Sequence, residues 1–131
     1  MIALALTAAP LVPSQLAFAM TESDYRDRFC AGMETEIVLP NGTRVDCMNS
    51  EIAVEVDFSS KWGEGIGQAL SYAATTGRRP GVILICRNKQ GSCLRHSLLL
   101  EEAAAHWKLP ITIWLCLPTD GALAQCSRKD Y

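Results

Sequence analysis

Two short apolar runs constrain this chain more than any other feature in it. Val82-Ile83-Leu84-Ile85-Cys86 and Ile111 to Leu117 show almost no alternation of polar and apolar side chains. Strands of that kind are buried on both faces, which requires a sheet with cover on each side. Between them, Leu94 to Lys108 reads as a helix, and Pro110 marks its end. A strand, a helix and a second strand of this type make a crossover joining parallel neighbours. The chain is therefore expected to be an α/β protein.

The upstream half has a different pattern. Residues 21–31 suit a short helix, capped by Thr21 or Ser23, with Tyr25 and Phe29 on one face and Gly32 at its end. Glu34 to Leu39 and Thr43 to Met48 are strand-like and flank Pro40-Asn41-Gly42, a strong hairpin turn signal. After Asn49-Ser50, the run Glu51 to Phe58 alternates strictly: Ile52, Val54, Val56 and Phe58 point one way, and Ala53, Glu55 and Asp57 the other. Ser59-Ser60 is a good helix start, for a helix from Lys61 to Thr76 that stops at Gly77. Gly63, Gly65 and Gly67 weaken that helix and permit close approach to a neighbour. Pro80-Gly81 reads as a turn, Arg87 to Ser92 as a polar loop, and Pro118 to Tyr131 as a loop-like tail. The expected order is αβββαβαβ: a mixed central sheet with flanking helices.

Residues 1–19 carry no charged side chain and end in Ala17-Phe18-Ala19, a small-x-small pattern suited to signal peptidase. Pro10 and Pro13 interrupt the segment, so it does not read as a permanent membrane helix. No Lys or Arg precedes it, which is unusual for a signal peptide. Export to the periplasm or beyond, without stable membrane insertion after cleavage, is the expectation. Residues 20–131 then form a single domain with one modest core. That domain holds Cys30, Cys47, Cys86, Cys93, Cys116 and Cys126, none in a C-x-x-C pair, which leaves zinc ribbons unsupported. An even number in an exported chain favours disulfide staples. Spacing alone does not choose among the connectivities. The preferred pairing is sequential, 30–47, 86–93 and 116–126, because each bridge closes a short loop between elements. The formal net charge of −2, with no basic tail, announces no general affinity for nucleic acid.

A candidate site follows from register. If Asn49-Ser50 is a tight turn, Cys47 lies opposite Ile52 and Asp46 opposite Ala53, so Asp46 shares a sheet face with Glu55. Two carboxylates at that spacing suit Mg²⁺ (or Mn²⁺), with the Val56 carbonyl as a third oxygen ligand. At roughly 100° per residue, Trp62, Ile66, Ala69, Leu70 and Ala73 form the apolar stripe of the helix. Lys61, Gln68 and Tyr72 line up beside it, able to meet the carboxylates. Exposed carboxylates on an open sheet face are the plainer reading of Asp46 and Glu55. Glu34 and Glu36 read as surface strand residues, and His96 and His106 as structural or exposed.

Asp46-x8-Glu55-x-Asp57 followed by Gln68-x3-Tyr72 resembles the PD-(D/E)xK, restriction-endonuclease-like nuclease core, in particular its RecB-like branch with a Q-x-x-x-Y helix. The segments Thr43 to Cys47, Ala53 to Phe58 and Gly67 to Ala73 also resemble a group of small exported bacterial proteins with this core. The resemblance covers about a third of the chain. It implies a metal-dependent phosphodiesterase acting on DNA or RNA, with Asp46 and Glu55 as metal ligands, a lysine that orients water, and Gln68 and Tyr72 as supporting residues. The family lysine belongs two residues after Glu55, where this chain has Asp57; Lys61 is the candidate substitute. The alternative is a catalytically degenerate binding protein on the same fold with an unidentified protein partner. A disulfide-stapled inhibitor or immunity-type protein is a third.

Overall fold

A computed structural model describes residues 19–87 and 89–131. The expected signal segment lies outside the described residues apart from Ala19. The elements in order are α1 (Glu22–Phe29), β1 (Glu34–Val38), β2 (Arg44–Met48), β3 (Ile52–Phe58), α2 (Trp62–Thr76), β4 (Arg79–Ile85), α3 (Gln90–His106), β5 (Thr112–Cys116) and β6 (Ser127–Asp130). The strands form a single mixed sheet of six, ordered as in the chain. β1, β2 and β3 are an antiparallel meander, β3, β4 and β5 run parallel, and β6 returns antiparallel to β5.

Both faces of the sheet are covered. Tyr25 and Phe29 of α1 pack on Ile52, Val54, Val56 and Phe58 of β3 and on Ile83 and Ile85 of β4. On the opposite face, Ala69 of α2 and Leu100 and Ala104 of α3 pack on Val82, Leu84 and Ile113. The two apolar runs are thus parallel central strands, for the reason read from their composition. β3 alternates but is buried along its whole length, because α1 covers one face and α2 the other. Glu55 and Asp57 are only 6 % and 5 % exposed, so the open-face reading of Glu55 does not hold.

Several boundaries differ from the sequence reading. The β2–β3 connection is longer than an Asn49-Ser50 turn. Met48 pairs with Ala53 and Cys47 with Val54, while Asn49 Oδ1 accepts the Glu51 and Ile52 amides. That side chain folds the link into a wider loop and shifts the register by two, which keeps every side chain on its expected face. Pro80 and Gly81 lie inside β4 rather than in a turn. Gly81 is needed there because an added Cβ would stand 2.8 Å from Ile52 Cδ1 and 3.1 Å from Val54 Cγ2. α3 begins at Gln90, so part of the expected polar loop is helical. The tail supplies β6, whose all-exposed Ser127–Asp130 carries no apolar signal but closes the sheet edge with charged residues.

Thr21 caps α1 through a capping box with Asp24, and Gly77 ends α2 with φ 69. Ser59 and Ser60 lie in a short 3₁₀ turn before α2 rather than capping it. Ser59 Oγ bonds His96 Nδ1 at 3.0 Å instead, tying that turn to α3.

The cysteines pair 30–47, 86–93 and 116–126, with Cα separations of 6.1, 5.3 and 4.6 Å. Three disulfides in a chain of this size fit an oxidising, extracellular setting. Among the described residues, no helix is long and apolar enough to cross a membrane.

Candidate functional site

A cleft of about 450 Å³ opens where α1, the β1–β2 hairpin, β3 and α2 meet. Its lining brings together Asp46, Glu55, Val56, Gln68 and Tyr72, the predicted site residues other than Lys61. The corrected register brings Asp46 level with Glu55, nearer than expected. Asp46 Oδ2 accepts the Val56 amide at 2.7 Å, and Glu55 Oε2 accepts the Tyr72 hydroxyl at 2.8 Å. The two carboxyls lie within hydrogen-bonding reach of each other. Tyr72 is 5 % exposed, so its hydroxyl is buried against Glu55 rather than left in water. Gln68 is exposed, one helical turn away at the cleft edge.

Burial sets the electrostatics. Glu55 is pushed up to about 9, chiefly by burial and then by the charge of Asp46, while the Tyr72 hydroxyl pulls the other way. Asp46 is also raised by burial, and the Val56 amide and Arg26 partly offset it. At neutral pH Glu55 therefore keeps its proton, which relieves its repulsion with Asp46. Burial raises the Tyr72 hydroxyl too, so it stays a neutral donor.

Lys61 and Asp57 occupy different positions. Lys61 Nζ pairs with Glu22 of α1 at 2.8 Å, and Lys61 does not line the cleft. Asp57 is buried beneath α2, where its Oδ2 has no hydrogen-bond partner among the described residues. Gly65 makes room for it, since a Cβ there would lie 3.1 Å from that oxygen. Burial, and then the charge of Glu22, pushes Asp57 up to about 7.

The sequence reading missed the charged wall. Arg26 of α1, Arg44 of β2 and Glu36 of β1 all line the cleft. Glu36 is thus more than a surface strand residue: it accepts a bond from Arg26 Nη1 and lies 3.9 Å from Arg44 Nη1. Simple rules could have found the arginines. Arg44 is two residues from Asp46 on one strand, and Arg26 is one helical turn from Glu22. Glu36 also adopts φ 53. For a residue with a side chain that conformation costs on the order of 1 kcal/mol or more.

No protein-family model, curated protein or solved structure matches this chain. Among the described residues, no group of three or more His, Cys, Asp or Glu side chains is arranged to hold a metal ion. The cleft offers two carboxyls and neighbouring main-chain oxygen. That donor set suits a hard cation that keeps several of its own waters, and not a fully caged one.

Proposed function

We propose that this protein is an exported, metal-dependent nuclease on a restriction-endonuclease-like core. The observation that carries the reading is the half-buried Asp46 beside the buried Glu55, in a cleft walled by Arg26 and Arg44. Placing two carboxyls side by side out of water is unfavourable unless a proton or a cation relieves their repulsion. Mg²⁺ or Mn²⁺ would do so, held by Asp46, Glu55 and the Val56 carbonyl. A bound divalent ion would supply an activated water and stabilise charge on a phosphate. The arginine wall favours the phosphates of DNA or RNA despite the acidic net charge. The element order from α1 to β4, with β3 and β4 parallel across α2, is the arrangement that the PD-(D/E)xK resemblance implies.

The other residues have supporting work. Tyr72 orients Glu55, and Gln68 presents its amide to whatever enters. Lys61 reaches the cleft only by leaving Glu22. Three disulfides support a periplasmic or secreted location for the 20–131 domain.

Incubation of the oxidised protein with plasmid DNA and with RNA, with and without Mg²⁺ or Mn²⁺, tests the reading. Metal-dependent cleavage lost in Glu55→Gln is expected. Absence of cleavage at high protein concentration, or cleavage indifferent to Glu55→Gln, would overturn it. A second reading is a catalytically degenerate binding protein on this fold. The Lys61–Glu22 pair and Asp57 in the usual lysine position favour it. Stable capture of nucleic acid or of a protein partner without turnover is its signature.

A further inference from the structure

The proposed hydrolysis leaves Glu36 without a task, yet its carboxylate sits between two guanidinium groups. Arg26 Nη1 donates to Oε1, and Arg44 Nη1 lies 3.9 Å from Oε2. All three residues line the cleft that holds Asp46 and Glu55. A carboxylate sharing its oxygens between two arginines has the shape and charge of a phosphate gripped by the same pair.

The three partners are not held equally. The Arg26 side chain is 13 % exposed, against 47 % for Glu36 and 61 % for Arg44. Arg26 also has its own support, since Nε and Nη2 donate to Asp27 Oδ1 at 3.0 and 2.9 Å. Those two contacts do not involve Glu36. On β1, Thr35 and Ile37 pair with Cys47 and Val45, which places Glu36 across from Asp46, a like charge. Glu36 meets that neighbour with its backbone at φ 53 rather than extended. Its hold on the cleft thus rests on the arginines.

We propose that Arg26 and Arg44 form a seat for a substrate phosphate, and that Glu36 fills this seat in the free protein and leaves it when a phosphate enters. The choice of a nucleic-acid strand as the source of that phosphate rests on the nuclease reading; the seat itself does not. A strand with many phosphates competes with the tethered carboxylate better than free phosphate does.

The test is anisotropy of a short fluorescein-labelled single-stranded oligonucleotide with the full chain in EDTA, so that no cleavage occurs. Inorganic phosphate serves as competitor. Glu36→Gln should tighten binding roughly threefold to fivefold, the scale of an exposed ion pair. Glu34→Gln removes the same charge from the same strand outside the cleft and should change affinity far less. Arg44→Gln should weaken binding, and in that background the gain from Glu36→Gln should shrink toward nothing. Displacement by millimolar phosphate alone identifies free phosphate as the occupant and overturns the choice of a strand. Equal effects of Glu36→Gln and Glu34→Gln, or a gain that persists without Arg44, overturn the seat. Binding with this pattern but no cleavage in Mg²⁺ sinks the nuclease reading and keeps the seat. Cleavage that needs Glu55 without this pattern does the reverse.

Discussion

At the scale of single residues, Glu55 sets the behaviour of the site. Its carboxyl keeps a proton up to about pH 9 in the folded chain, against 4.5 when free. The folded state thus binds more protons than the unfolded one across that window. The associated stability is complete below about pH 4.5 and drains as pH rises toward 9. Asp57, raised to about 7, adds a slope of the same sign between 3.8 and 7. The metal-free protein should therefore lose stability, and melt at progressively lower temperature, from pH 5 to pH 9, by at most about 1.4 kcal/mol per pH unit from Glu55, with Asp57 adding to the slope only below about pH 7. Glu55→Gln should remove its share of that slope in a thermal melt series. A melting temperature that stays flat or rises in wild type would refute the assignment. Tyr72→Phe removes a donor to the charged form, so Glu55 should titrate still higher, as read by carbon NMR of the glutamate carboxyls. The same change should weaken Mg²⁺ binding by about 10- to 100-fold, the usual cost of losing a supporting hydrogen bond at a metal ligand. Asp46, Glu55, Gln68 and Tyr72 were legible in the sequence because strand alternation and helical phase are local geometry. The Lys61–Glu22 pair was not, since it joins the turn before α2 to α1 across tertiary space.

At the scale of elements, α2 separates two roles of glycine that look alike in the sequence. At Gly67 an added Cβ would meet nothing within 4 Å, whereas at Gly65 it would approach Asp57 Oδ2 and Val82 Cγ1. Gly67→Ala should stabilise the protein by up to about 1 kcal/mol through helix propensity. Gly65→Ala should gain nothing or lose stability, because the same propensity is opposed by contact with a buried carboxyl. Denaturant midpoints for the two variants decide this, and equal gains would show that Gly65 is not a close approach. The parallel core and the meander could be read ahead of the structure, since apolar periodicity reports burial directly. β6 could not, because an edge strand of Ser127-Arg128-Lys129-Asp130 is chosen by its partner β5 and not by its own side chains. The β2–β3 register was misread for a related reason: Asn49 reaches over the loop with its side chain, and residue spacing alone does not reveal that.

At the scale of the whole molecule, the disulfides differ in what they hold. Cys30–Cys47 joins the end of α1 to β2, and so fixes the Arg26 wall of the cleft against the strand that carries Asp46. The Cys30→Ser, Cys47→Ser double variant should lose roughly 3 kcal/mol in denaturant unfolding, against roughly 2 for the shorter 86–93 loop. It should also weaken oligonucleotide binding, which loss of the 86–93 bridge should leave nearly unchanged. Equal binding losses would mean that both act through general stability. The bond from the Val56 amide to Asp46 has a reach beyond the cleft. It makes one main-chain proton in the middle of the sheet an indicator wired to the carboxylate. A cation arriving at Asp46 would draw charge from that bond, and the Val56 resonance would move in an amide spectrum before any product formed.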